Sequence, residues 1–382
     1  MHQKTRHKAH TVYVGLSGGV DSSVAALLLR EQGYKVTGVY MKNWSQDLPG
    51  MPCPWRDDYQ DAKRVAVQLG IDFKMYDFEK VYRHRVVEHM IEQYRAGRTP
   101  NPDIMCNQEI KFKLFLETAL KDGADYIATG HYARVFYTLS SQLSAKSSRL
   151  GGVRLLMAHD ASKDQTYFLY RITRKALART LFPLGELTKS EVRTLAKEHN
   201  LVTADKKESM GICFVGKVGI KDFLSQFVKT KPGKVVNQQG RIIGEHDGAI
   251  FYTIGQRHGL DVGGGLPYYV VGKDMKKNEV YVTTDLQDEK LWSREIKLTD
   301  IHWINKPPVR SRELRISNSE DKPSSLSVRM RHRAKLIPVK ILDLLSNTQA
   351  RVELDEEVKA LTPGQSAVFY SAEECLGGGI VI

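Results

Sequence analysis

Thr11-Val12-Tyr13-Val14-Gly15-Leu16, running directly into Ser17-Gly18-Gly19-Val20-Asp21-Ser22-Ser23, is the stretch whose reading decides the fold. The first six residues are β-branched, aromatic or apolar and read as a buried strand. Beyond the serines, Val24-Ala25-Ala26-Leu27-Leu28-Leu29 is rich in strong helix formers, and Gly33 follows as a C-cap. A strand that turns through two glycines into a serine-rich helix start builds a phosphate cradle. The glycines permit close backbone approach, and the free N–H groups of the helix N-terminus face the anion. The commoner phosphate loop, GxxxxGK[ST], requires a lysine that does not follow here.

Outward from this stretch the chain alternates strand and helix. Tyr34 to Met41 reads as a second strand, and Lys42 to Pro54 as a loop. Asp57 to Leu69 reads as a helix, with Ala62, Val65, Ala66 and Leu69 on one face and Gly70 as its stop. Phe73 to Phe78 reads as a strand, Val81 to Arg95 and Lys111 to Leu120 as helices, and Tyr126 to Thr129 as a strand leading to Gly130 and His131. Thr188 to His199 adds a helix with a Thr188/Glu191 capping box. The alternation predicts a parallel doubly wound sheet, with ligands beyond the strand C-termini, where Ser17 and Gly130 fall. Ser140 to Ser148 reads as an exposed hairpin tip or loop. After about residue 205 the chain becomes short alternating segments punctuated by glycine. Val270-Val271 and Val280-Tyr281-Val282 mark a small β-rich module, and the runs from Ser325 to Tyr370 suggest a compact barrel or sandwich. The fold class is thus α/β: an N-terminal doubly wound domain, a small β-rich central domain and a C-terminal β-barrel.

Lys plus Arg number 57 against 44 Asp plus Glu in 382 residues, a net charge of +13. A surplus of that size favours a polyanionic partner. Arg329, Arg331, Arg333 and Lys335 alternate, which on one strand would make a basic stripe. No apolar run is long enough for a membrane span, and Met1 to His10 lack the apolar core of a secretory signal, so the expectation is a cytoplasmic protein without membrane contact. The cysteines, Cys53, Cys106, Cys213 and Cys375, form no CxxC pair, which argues against a zinc ribbon or a thioredoxin-like site.

Two cysteines sit in unusual surroundings. In Thr99-Pro100-Asn101-Pro102-Asp103-Ile104-Met105-Cys106-Asn107 the prolines stiffen a loop, and Asp103 and Cys106 share a face if the chain turns helically. Lys111 and Lys113 follow and would favour a Cys106 thiolate. Ser209-Met210-Gly211-Ile212-Cys213-Phe214-Val215-Gly216 places Cys213 between glycines, as suits a mobile loop. Read singly, each segment fits a buried structural cysteine equally well.

Together with SGGVDSS, these segments resemble the tRNA-specific 2-thiouridylases of the PP-loop pyrophosphatase superfamily. The resemblance runs through MKNW (Met41 to Trp44), TPNPDIMCN, ATGHYAR (Ala128 to Arg134) and SKDQTYFL (Ser162 to Leu169). It continues through SMGICFVG, TIGQRHGL (Thr253 to Leu260), LPYYVVGKD (Leu266 to Asp274), TPGQSAVFY (Thr362 to Tyr370) and CLGGGI (Cys375 to Ile380). It implies ATP-dependent 2-thiolation of the wobble uridine of tRNA, in three parts: residues 1–208 for adenylation, 209–288 central, 289–382 for tRNA binding. Gly15, Leu16, Ser17, Gly18, Gly19, Val20, Asp21, Ser22 and Met41 would bind ATP, and Gly130 its adenosine. Asn101, Pro102 and Asp103 would meet the target base, with Asp103 as general acid or base. Cys106 would be the nucleophile and Cys213 the persulfide carrier, the two ending as a disulfide. His131, Lys163, Asp164, Gln165, Arg331, His332 and Gln365 would contact tRNA. Mg²⁺ would be held by the phosphates, with Asp21 the nearest carboxylate, and no dedicated protein metal site is implied. Partners would be the tRNA anticodon stem-loop and a persulfide relay protein or cysteine desulfurase. The family's RYRQ pattern is Arg331-His332-Arg333-Ala334 here, and the surroundings of Cys53 diverge, so that cysteine receives no role. Two other readings stay open on the residues: an adenylating enzyme using an amine nucleophile, which would not need paired cysteines, and a non-catalytic tRNA-binding or sulfur-carrier protein.

Overall fold

The computed structural model describes residues 10–47, 53–137, 152–207, 219–260, 262, 267–306 and 326–382. The expectations for Ser140 to Ser148 and for Cys213 lie outside these residues. By backbone packing the chain forms two units, residues 1–85 with 103–217 and residues 86–102 with 218–382.

In the first unit, β1 (Thr11–Gly15), β2 (Lys35–Lys42), β3 (Asp72–Asp77), β4 (Tyr126–Ala128) and β7 (Thr180–Leu181) form one sheet in the order β3-β2-β1-β4-β7. Every pairing is parallel, with Val14 opposite Gly38 on β2 and Ala128 on β4. β5 (Arg134–Tyr137) and β6 (Val153–Leu156) pair antiparallel as a hairpin outside this parallel sheet. The chain leaves β1 for β2 on one side, and β4 lies on the other. The C-terminal end of β1 is therefore the switch point at which open parallel sheets bind ligands. α1 (Val20–Glu31) follows at once and buries Val24, Ala25, Ala26 and Leu27 against Val12 and Val14. Each large apolar side chain buried there contributes about 1.5–3 kcal/mol. α2 (Trp55–Leu69) buries the expected face, Ala62, Val65, Ala66 and Leu69, and ends at Gly70 with φ +63°. α3 (Glu79–Tyr82) continues through a π-wound turn, Arg83–Glu88, into α4 (His89–Arg95). α7 (Thr166–Leu169) and α8 (Arg174–Leu177) are single turns. α9 (Lys189–Glu198) carries the expected capping box between Thr188 and Glu191.

The Pro-flanked segment, which the sequence leaves open between a stiffened loop and a helical turn, is helical after Asn101: α5 (Pro102–Cys106) runs into the π-wound Asn107–Phe115 and then α6 (Leu116–Lys121). Proline is well placed at a helix's first position, where its missing N–H and fixed φ cost nothing, so Pro102 starts this helix.

The second unit opens with the 86–102 segment and continues through α10 (Ile220–Ser225). β8 (Gly233–Val236), β9 (Ile242–His246), β10 (Tyr269–Asp274) and β11 (Glu279–Thr283) form a four-stranded sheet in the order β10-β11-β8-β9. β12 (Trp292–Trp303), β13 (Leu326–Arg329), β14 (Ile337–Leu344), β15 (Ala350–Lys359), β16 (Ser366–Ser371) and β17 (Glu374–Val381) pair antiparallel in the order β12-β15-β14-β13-β16-β17. The β12–β17 pairing closes them into a six-stranded barrel. Inward residues of alternating strands, among them Ile296, Val328, Val339, Val352 and Phe369, fill it.

The barrel corrects the basic stripe. β13 ends at Arg329, whose guanidinium is buried 5.0 Å over the Tyr370 ring. The chain then turns, with Ala334 N–H on Arg331 O and Arg333 at φ +63°. Alternation along a strand cannot place these residues on one face once the strand has ended.

Candidate active site

The phosphate-loop hydroxyls lock the loop onto the first turn of α1. Ser22 Oγ accepts from Ser17 N–H (3.2 Å) and donates to Gly19 O (3.1 Å), while Ser23 Oγ donates to Gly19 O (2.8 Å). Gly18 takes φ +75°, and Thr203 Oγ1 buttresses Ser23 at 3.0 Å. Gly130, at the end of β4, lies against the same turn: a Cβ there would stand 2.7 Å from Ser22 N and 2.8 Å from Asp21 C. Those neighbours are backbone and cannot yield, so only glycine brings the ends of β1 and β4 this close. Met41 is buried, its methyl 3.0 Å from where a Gly15 Cβ would be. Asn43, just past the end of β2, is buried with its Oδ1 unpaired among the described residues.

Asp21 is not an open metal ligand in this arrangement. Lys189, the first residue of α9, places Nζ 2.7 and 2.8 Å from the two Asp21 carboxylate oxygens, and Tyr132 OH donates to Oδ1 at 3.0 Å. Lys189 thus reaches the first turn of α1 from 168 positions away. The Lys189 backbone N–H donates to Asp160 Oδ2 (3.0 Å). Ser162, first, and this N–H hold the Asp160 carboxyl below the usual range. Reading the chain linearly gives no sign of Lys189.

Lys163, Asp164 and Gln165 divide in role. Asp164 is 1% exposed and accepts from Ala158 N, Thr166 N and Thr166 Oγ1, so its carboxylate organises the turn. Gln165 Oε1 accepts from Tyr132 N–H at 2.9 Å, linking this turn through Tyr132 to Asp21. Lys163, like Gln165, is half-buried.

His131 is buried, with Nε2 3.5 Å from Lys111 Nζ and Nδ1 2.8 Å from Thr129 Oγ1. A nitrogen facing an ammonium must be the bare one, so Nδ1 carries the proton. Burial, reinforced by Lys111, holds the ring's pKa well below its ordinary value. In the unfolded chain the ring gains a proton below about pH 6.5, and in the fold it stays neutral. The unfolded state therefore binds more protons, and stability falls as pH drops below about 6.5, by at most about 1.4 kcal/mol per pH unit for this one group. Burial lowers His246 as well, so wild type carries both contributions. His131→Gln is expected to flatten the slope by one group's share; denaturant unfolding across that pH range checks it, and an unchanged slope refutes it.

α5 carries Asp103 and Cys106 one turn apart, with Cys106 fully buried. Of the two lysines expected to bias that thiol, Lys113 turns to Glu109 (2.9 Å), which also takes Arg85 (3.1 Å). Lys111 lies beside His131. Asn107 donates to Phe168 O (3.1 Å), its Oδ1 buried and unpaired among the described residues. Burial pushes the Cys53 thiol up, away from thiolate character.

In the second unit Arg331 is exposed and donates to Ala360 O (3.0 Å), with His332 half-buried beside it. Gln365 Nε2 donates to Thr99 O (2.8 Å), two residues before Asn101.

Three family models cover the chain in order: a tRNA methyl transferase HUP domain over 10–217, a tRNA methyl transferase PRC-barrel domain over 221–284 and an aminomethyltransferase beta-barrel domain over 293–381. The tRNA-specific 2-thiouridylase MnmA of Bacillus subtilis (strain 168) is 47% identical over 372 residues, 97% of this chain and 94% of that one. The enzyme of the same name from Geobacillus thermodenitrificans is 45% identical, covering 99% and 96%, and that from Enterococcus faecalis 45%, covering 97% and 94%. The chain belongs to the tRNA-specific 2-thiouridylase family. Members of this family are sulfurtransferases acting on tRNA. Among the described residues no three His, Cys, Asp or Glu side chains converge to hold a metal ion, and no helix is long and apolar enough to cross a membrane.

Proposed function

We propose that the chain catalyses ATP-dependent replacement of the C2 oxygen of the tRNA wobble uridine by sulfur, through an adenylated base and a protein persulfide. The observation that carries this reading is a phosphate cradle with its own fixed cation, Lys189, in a chain whose α5 presents Asp103 and Cys106 and whose family acts on tRNA.

The uridine C2 oxygen is amide-like and a poor leaving group. Its attack on the α-phosphorus of ATP breaks the bond to the β-phosphate and releases pyrophosphate. The N–H groups of Gly19 to Ser22 at the start of α1 bind the phosphates, and Lys189 offsets the charge that grows on the departing pyrophosphate. Gly130 and Met41 border the adenosine. Mg²⁺ arriving with the nucleotide would supply further charge neutralisation. Asp103 takes the base's proton and returns it, while Asn101 and Pro102 shape the base's seat. The base is stacked in its anticodon loop and must be splayed out to reach them. Arg331 and His332 hold RNA backbone, with Lys163 on the adenylating side.

A relay protein or cysteine desulfurase loads Cys213 as a persulfide. Its terminal sulfur adds to C2, and AMP departs with the original oxygen. The Cys106 thiolate then attacks Cys213 Sγ, the S–S bond breaks and the sulfur remains on the base. The two cysteines lose two electrons to form a disulfide, the sulfane sulfur gains them, and a thiol reductant resets the pair. In a variant order Cys106 first frees a sulfide, which adds to C2 itself. Either order brings the Cα atoms to about 4.4–6.8 Å. Nucleoside mass spectrometry of the product tRNA tests the proposal.

A further inference from the structure

Thr99 is a junction within the second unit. Its N–H donates to Pro363 O (2.8 Å), its carbonyl accepts from Gln365 Nε2 (2.8 Å) and its hydroxyl meets Thr253 Oγ1 (3.1 Å), with only 9% of the residue exposed. Every polar group it owns is tied to the barrel loop 362–365 or to the central module's turn at 253. The barrel side is held by Gly364, at φ +92°, where a Cβ would stand 2.8 Å from Thr99 N and 2.9 Å from Arg98 Cβ. The turn side is fixed independently. Thr253 N–H donates to Gln256 Oε1 (3.0 Å), Gly255 N–H to Val270 O (2.7 Å), and the half-buried Lys273 ammonium to Tyr252 O (2.7 Å). A Cβ on Gly255 would lie 2.4 Å from Ala360 Cβ and 3.9 Å from Arg331 Nη2, so the turn lies against the residues proposed to grip RNA.

We propose that Thr253 and Gln365 are positioning residues: through Thr99 they hold the Asn101-Pro102 entry to α5 in fixed register with the barrel loop beside Arg331. RNA gripped by the barrel then meets a base-contacting loop that is already set. The inference rests on the function proposed above, and it gives the TIGQR turn a role that no direct substrate contact requires. Gln365 acts through Thr99, since an N–H of its amide is directed at the Thr99 carbonyl. Only Pro100 separates Thr99 from Asn101, and Pro102 follows. Two locked φ angles transmit the position of Thr99 with little loss.

The test uses full-length Thr253→Val, which keeps the shape and loses the hydroxyl, Thr253→Ser, which restores it, and Gln365→Glu, which cannot donate to the carbonyl at neutral pH. A displacement of the loop by an ångström costs up to about a hundredfold in rate. The Val and Glu variants are therefore expected to lower kcat for thiolation at least about tenfold, with KM for tRNA within about twofold of wild type. Ser is expected to recover most of the rate. Hydrogen exchange read at Thr99 should quicken in the Val and Glu variants, with thermal unfolding unchanged. A raised KM with kcat intact would make these residues RNA contacts and overturn the proposal, as would wild-type kcat and exchange in both variants. If wild type itself forms no 2-thiouridine, the functional reading fails, and the exchange at Thr99 alone decides whether the junction exists.

Discussion

Lys189→Met is expected to reduce tRNA-dependent release of pyrophosphate from ATP by about 10²–10³-fold, the range seen when one preorganised charge-stabilising donor is removed from a site. The ammonium lies 2.7 Å from Asp21 at the start of α1, on the ligand side of the sheet. Methionine keeps the length of the side chain and loses the charge, so the packing of α9, set by Val192 and Ala196, is retained. The loss should appear in kcat more than in KM for ATP, because the charge it offsets grows only as pyrophosphate departs. Asp21→Asn should cost less, since the lysine stays charged and the amide oxygen can still accept from it, while the ion pair is lost. Pyrophosphate release measured at saturating tRNA decides the matter. Lys189→Met at wild-type rate would show that the cation is structural.

Cys106→Ser is expected to abolish thiolation by about a thousandfold or more, the scale on which loss of an activated nucleophile is felt. Adenylation does not use the thiol, so AMP-linked tRNA or pyrophosphate should still form. The same separation is expected for Cys213→Ser. A protein in which both variants still thiolate would be using a different sulfur route. One in which both lose pyrophosphate release as well would have its cysteines in the adenylation step.

The parts of this molecule that could be read from its sequence are those set by neighbours along the chain. The strand–glycine–helix at residues 11–29, the α2 face ending at Gly70 and the Thr188/Glu191 capping box each depend on contacts within a few residues, and each is found as read. The Pro-flanked segment at 99–107 was ambiguous for a physical reason. Proline reads equally as a loop stiffener and as a helix's first residue, and the helix that Pro102 starts settles it. Arg329 to Lys335 failed because alternation has meaning only while a strand lasts, and β13 ends at Arg329. Lys189 beside Asp21 and Gln365 beside Thr99 come from folding elements 168 and 266 positions apart into contact, and no local pattern encodes such a meeting. Burial is equally silent in the sequence: Asp164 and His131 look like surface polar residues there, and each is enclosed and satisfied by its own turn.

The most direct measurement is mass spectrometry of nucleosides from tRNA incubated with the full-length protein, ATP, Mg²⁺ and a persulfide donor. The account predicts a uridine at the wobble position heavier by the exchange of sulfur for oxygen, formed only with ATP and matched by AMP. An unchanged uridine with pyrophosphate still released, or a uridine heavier by a methyl group instead, would contradict it.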